Sequence, residues 1–169
     1  MAQYGRGKMG THKPNQPFVV SNFLSNSTWS LRFFRSDNLD GSTDFPMGEN
    51  PFGLLIYGSS GHMSVQMARS DRDDRTKLPF ASDDVLNVEP DDAKRAMDTY
   101  LAYCGTYSVD QDAGTVTHAI ESCTYPLWIS VKQVRSFHLE GDILTLKTAK
   151  PALFHGKLRI GHLEWGRTR

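Results

Sequence analysis

Polar and apolar positions alternate through most of the chain from residue 28 to residue 167, in short runs separated by Gly, Asp, Asn and Ser. A period of two marks a strand with one buried face, and the separators are turn formers. "TWSLRFFRS" (28–36) precedes the turn signal "DNLDGS". "FGLLIY" (52–57) and "HMSVQMA" (62–68) flank "GSSG". "AYCGTYSV" (102–109) and "TVTHAIES" (115–122) flank "DQDAG", while "VKQVRSFHL" (131–139) and "ILTLKTA" (143–149) flank "EGD". With "HLEWGR" (162–167) this makes about eight strands, mostly joined by tight hairpins.

One stretch has the helical period instead. "EPDDAKRAMDTYLAY" places Pro90, Asp91 and Asp92 where a first turn accepts them. Ala93, Met97, Tyr100 and Leu101 follow as an apolar stripe. The charged segment "RSDRDDRTKLPFASDD" (69–84) precedes it and is long for a loop. Residues 69–101 are expected to form a loop and short helix over one barrel mouth, or an ordinary surface excursion. For the strands, closing into an antiparallel up-and-down β-barrel removes the exposed edges. The expected fold class is therefore all-β; a sandwich is the competing arrangement.

Pairing across the hairpins assigns faces. With "GSSG" as a four-residue loop, Leu54, Ile56, Met63, Val65 and Met67 share an apolar inner face with Phe52, and Leu55 and Tyr57 face outward. An even loop in the next hairpin puts Tyr103, Tyr107, Val116, His118 and Ile120 inside and Glu121 outside. In the third, Phe137 and Leu146 face inward with Gln133 and Arg135. The interior is thus apolar with a polar cluster of His118, Arg135, Gln133, Tyr103 and Tyr107. Buried polar groups must be satisfied by one another, by water or by a ligand. A few polar groups in an apolar cavity are the usual form of a small-molecule site.

A chain of 169 residues suits one domain. Residues 1–22 are polar and read as a flexible arm ahead of a barrel domain at 23–169. Nineteen basic and nineteen acidic residues give no electrostatic reason to expect nucleic acid or a membrane surface as partner. No run approaches the roughly 18 apolar residues of a membrane span. The arm lacks the apolar core of a secretory signal, so a cytoplasmic location is expected. Cys104 and Cys123 make no disulfide framework, and the six histidines are scattered singly. No metal and no cofactor is expected, since dinucleotide, P-loop and G-x-S-x-G signatures are missing from the sequence.

"TWSL" near the start and "LEWGR" at the end resemble the first- and last-strand signatures of lipocalin-like barrels. There an early Trp packs on a late Arg, here Trp29 and Arg167, a cation–π pair. The family's glycine two residues before that Trp is Ser27 here. "NPFGLLIYGSSGHMSVQMARSDR", "YLAYCGTYSVDQDAGTVTHAIES", "PLWISVKQVRSF" and "LEGDILTLKT" resemble, in order, the blocks of the lipocalin-like domain family of bacteria and fungi. The resemblance covers roughly residues 25 to 167 and implies a calycin-type barrel. Some members lie in secondary-metabolite pathways, where small barrels act as cofactor-free cyclases, isomerases or dehydratases.

The function expected from this combination is a cofactor-independent enzyme of natural-product biosynthesis that cyclises, isomerises or dehydrates a largely apolar substrate. His118 would be acid or base, because a neighbouring guanidinium lowers the imidazole pKa. Arg135 would hold an enolate, phenolate or carboxylate, with Tyr103 and Tyr107 orienting the substrate. The alternative is a carrier that binds a small hydrophobic ligand without turnover. In either case Leu54, Ile56, Met63, Val65, Met67, Ile120, Phe137 and Leu146 form the wall, with Gln133 and a rim residue, Trp128. Association into a homodimer through outer strands is a further expectation.

Overall fold

The computed structural model describes residues 23–72, 84, 87–154 and 157–168. The arm expected at 1–22 and most of the loop at 69–84 lie outside the described residues. Ten strands occur among those described: β1 (Ser27–Asn38), β2 (Thr43–Asp44), β3 (Phe52–Tyr57), β4 (His62–Ala68), β5 (Tyr100–Asp110), β6 (Thr115–Cys123), β7 (Lys132–Glu140), β8 (Ile143–Thr148), β9 (Ala152–Phe154) and β10 (Lys157–Arg167). Each of the long strands pairs antiparallel with its neighbour, and β1 pairs with β10, so eight of them close a barrel. The short β2 and β9 add to β1 and β10.

One end of the barrel is sealed. Trp29, fully buried, lies under the Arg167 guanidinium at 4.2 Å and donates from Nε1 to Ser27 Oγ at 2.7 Å. Ser27 Oγ in turn donates to the carbonyl of Leu24, which is itself fully buried. The residue that departs from the family pattern, Ser27, thus supplies the acceptor that the buried indole requires. The other end carries the starts of β3, β5 and β7 and the ends of β4, β6 and β8.

The helix α1 (Pro90–Asp98) enters at that second end, just before β5. It is shorter than its pattern suggested. Thr99 caps it by donating to Arg95 O at 2.8 Å, and Tyr100 and Leu101 already belong to β5. Ala93 and Met97 are exposed, so the expected stripe is not its packing face; Asp92, paired with Arg95, is its buried residue. Arg72 ties the helix end to the segment after β4, donating to Ala96 O at 2.8 Å and lying over the Tyr100 ring.

The face assignment of β3 is corrected by its turn. Tyr57 pairs with Met63 and Leu55 with Val65. The loop is therefore "SSG" rather than "GSSG": Gly61 N donates to Gly58 O at 3.2 Å, and Gly58 N to His62 O at 2.8 Å. Gly61 has φ +82°, the left-handed position that closes a three-residue hairpin with a bulge. One residue of register inverts every side chain of a strand. Leu54 and Ile56, expected inside, accordingly point out with Phe52, while Leu55 and Tyr57 are fully buried. Met63, Val65 and Met67 face inward as expected.

Two bulges adjust the other faces. Between Leu31 and Phe33 the β1 register shifts, so Trp29 and Leu31 face inward and then Phe34 and Ser36 do. On β6 the shift falls beside Gly105, which leaves Glu121 and Ser122 both exposed. Tyr103, Tyr107, Val116, His118 and Ile120 are all buried inside, as their alternation predicts.

Candidate ligand site

Three strands bring the polar cluster together. Tyr57 comes from β3, Tyr103 from β5 and His118 from β6, each at an inward position. His118 is 1% exposed, with Nε2 at 2.8 Å from Tyr57 Oη and Nδ1 at 3.2 Å from Tyr103 Oη. Both ring nitrogens are therefore engaged by tyrosine hydroxyls. Burial, reinforced by the Arg135 charge, brings the His118 pKa down to about 3, so the imidazole is neutral at ordinary pH. Burial also pushes the Tyr57 phenol well above its usual range. Tyr103 is raised by burial as well, against the opposing pull of the Arg135 charge.

Arg135 stands on β7 opposite Val116 and donates from Nη2 to Gln133 Oε1. Among the described residues no carboxylate forms an ion pair with it. Its Nη2 thus meets a neutral acceptor, the Gln133 amide.

These groups line one side of an internal cavity. Tyr103, His118, Arg135 and Thr148 are its polar members; Phe34, Leu55, Val65, Met67, Leu101, Trp128, Leu146, Leu163 and Trp165 complete the wall. It is narrow, with about 30 Å³ open to the centre of a water molecule. Trp128, Arg135 and Thr148 also line a wider groove of about 630 Å³ that includes Tyr125, Lys132, Gln133, Val134 and Leu153. Those three side chains are the partition between the inner cavity and the outer groove.

Trp128 reaches the partition through a single 3-10 turn, Pro126–Trp128. Ser130 N donates to Ile120 O at 2.8 Å and Ile120 N to Val131 O at 3.0 Å, folding the turn back on β6. The Trp128 ring meets Tyr103 edge-on, centroids 6.3 Å apart.

Of the residues singled out from sequence, His118, Arg135, Tyr103, Val65, Met67, Trp128 and Leu146 line the inner cavity, and Gln133 lines the groove beside it. Tyr107 does not. It pairs across from His118, but its hydroxyl donates to Gly58 O at 3.1 Å in the hairpin near the sealed end. Met63 and Ile120 are core residues beyond the lining, and Phe137 packs on Phe23 with centroids 5.1 Å apart. Leu54 and Ile56, outside the barrel, take no part. Sequence reasoning missed Tyr57 and Leu55 through the turn, and Phe34 through the β1 bulge. It also missed Thr148 and Trp165, whose inward parity on β8 and β10 was open to the same alternation argument.

A closed antiparallel barrel with one sealed end, an apolar interior and a few convergent polar groups is the architecture of a small-ligand barrel. The chain belongs to the lipocalin-like domain family, whose model matches residues 27–168. It is also similar to the 4'-hydroxy-3'-methoxypropiophenone carrier protein ppsC of Aspergillus oryzae. The two are 40% identical over 76 residues, which span 41% of this chain and 68% of that protein. No solved structure matches the chain. Among the described residues no helix is long and apolar enough to cross a membrane.

Proposed function

We propose that this protein is a carrier that holds a small aryl ketone, or a close chemical relative, without turning it over. The observation that carries the reading is the state of His118. A general base must take up a proton near the working pH. An imidazole with a pKa of about 3 and both nitrogens occupied by tyrosines does not. Its role in this reading is to fix Tyr57 and Tyr103. Cyclisation, isomerisation or dehydration by proton transfer at His118 is the less supported alternative. The similarity to a protein named as a propiophenone carrier points the same way.

Size governs how such a ligand would sit. Drug-sized ligand sites occupy roughly 300–1,000 Å³, far more than the inner cavity offers. The outer groove has that capacity. The ligand's oxygen-bearing end would pass the Trp128–Arg135–Thr148 partition, and its ring would rest in the groove against Trp128. Arg135 would then hydrogen-bond the oxygen, a contact to a charged donor worth about 1.5–3 kcal/mol.

Titration calorimetry with propiophenone tests this. Wild-type protein is expected to bind one equivalent, and Arg135→Ala to bind roughly ten- to a hundredfold more weakly. Absence of binding to the wild type, or equal binding by the variant, would overturn the assignment.

A further inference from the structure

We infer that the inner cavity offers an excess of hydrogen-bond donors, because His118 is fixed as the Nδ1–H tautomer, and that it therefore favours ligands whose buried end is an acceptor, such as a carbonyl. The inference rests on the ligand-holding function proposed above and adds the chemistry of the group that enters.

A neutral imidazole has one N–H and one lone pair, and which nitrogen carries the proton follows from its partners. Two arrangements satisfy His118. In the first, Nε2–H donates to Tyr57 and Tyr103 donates to Nδ1. Tyr57 would then have to place its own hydroxyl hydrogen elsewhere. It is fully buried, does not line the cavity, and has His118 Nε2 as its hydrogen-bond partner among the described residues. A buried donor left unsatisfied costs about 1–3 kcal/mol.

The second arrangement leaves no such orphan. Tyr57 donates to Nε2, and Nδ1–H donates to Tyr103 Oη. One lone pair of Tyr103 is then used, and its hydrogen is free on a residue that lines the cavity. The imidazole acts as a spacer that turns one hydroxyl donor toward the cavity and keeps its own lone pair away from it.

The remaining polar lining groups are of the same kind. Arg135 is a donor without acceptor capacity. Thr148 Oγ1 accepts from Gly161 N at 3.0 Å, which leaves its hydrogen and one lone pair. Trp165 lines the cavity at 1% exposure, and its buried Nε1–H meets no partner among the described residues. An indole N–H can only donate. Four lining residues thus carry donors, two of them without acceptor capacity, and the one lone pair of the imidazole points at Tyr57.

A ketone oxygen accepts several of these donors and brings no hydrogen of its own. The matching carbinol has nearly the same size, but its hydroxyl hydrogen has fewer partners, the remaining lone pairs of Tyr103 and Thr148. Two readouts on the full chain test the inference. Long-range nitrogen–proton NMR of the unliganded protein, with His118 assigned from His118→Gln, is expected to show a protonated Nδ1 and a bare Nε2. Calorimetry is expected to give propiophenone at least tenfold tighter binding than 1-phenylpropanol, with most of that preference lost in Tyr103→Phe. An Nε2–H tautomer, or carbinol binding as tight as ketone, overturns the donor-rich cavity and leaves ligand holding intact. If neither compound binds, the ligand-holding function fails and this inference with it.

Discussion

His118→Ala is expected to lower the stability of the barrel by about 3–4 kcal/mol. The substitution opens a void and strands the fully buried Tyr57 hydroxyl without its partner. His118→Gln keeps one donor and one acceptor near the two tyrosines and should cost much less, on the order of 1 kcal/mol. Urea unfolding at neutral pH measures both.

The same residue sets an acid limit. Its folded pKa, about 3, lies below the ordinary 6.5. As pH falls below 6.5 the unfolded chain takes up a proton that the folded chain refuses. The stability contributed by the neutral buried ring is complete above that pH and is lost progressively down to about 3. Each unit of difference corresponds to about 1.4 kcal/mol, so going from 6.5 to 5 removes about 2 kcal/mol. That decrement should be missing in His118→Gln, and a parallel loss in both proteins would refute the assignment.

Gly105→Ala is the second large effect. A Cβ at this position would lie 2.0 Å from the carbonyl oxygen of Ala119 and 2.9 Å from Glu121 N, both backbone atoms of the paired strand. Side chains can yield to an added methyl, but a strand in a closed barrel cannot move without breaking its ladder. A loss of roughly 3 kcal/mol in urea unfolding is expected. Gly166→Ala is the control: its nearest neighbour would be Arg32 Cδ at 3.5 Å, an ordinary contact, and a change below about 0.5 kcal/mol is expected. The Gly105 approach coincides with the bulge that keeps Tyr103 inward while Glu121 and Ser122 both face out. Crowding it should also disturb the Tyr103–His118 contact.

The sequence alone carried the barrel, most of its hairpins and the grouping of His118 with Tyr103 and Arg135 on the interior. Alternation from Val116 to Ile120 and from Tyr103 to Val109 placed His118 with the tyrosines without any knowledge of tertiary contacts. What alternation could not decide was parity across a turn or bulge. "GSSG" admits a four- or a three-residue loop, and the difference exchanged Leu54 and Ile56 for Leu55 and Tyr57. The final glycine was a signal for the shorter loop, because a left-handed residue belongs there. No comparable signal marks the shift after Leu31 that turns Phe34 inward. The helix stripe failed for another reason: Thr99 satisfies the helix end, so Tyr100 and Leu101 begin a strand. The chemical role of His118 was the hardest to read. Arg135 was expected to keep it a base near neutral pH, whereas burial first and the Arg135 charge second bring its pKa down to about 3, which alternation cannot tell.

Propiophenone labelled with carbon-13 at the carbonyl, followed by NMR in the presence of the wild-type protein, tests the central claim most directly. One label reports both the donors around the oxygen and the integrity of the ketone. A single bound carbonyl resonance moved downfield by hydrogen bonding, reduced in displacement by Tyr103→Phe and returning unchanged on release, is the predicted result. Conversion of the carbonyl signal to that of a product, or an unshifted signal at saturating protein, would contradict it.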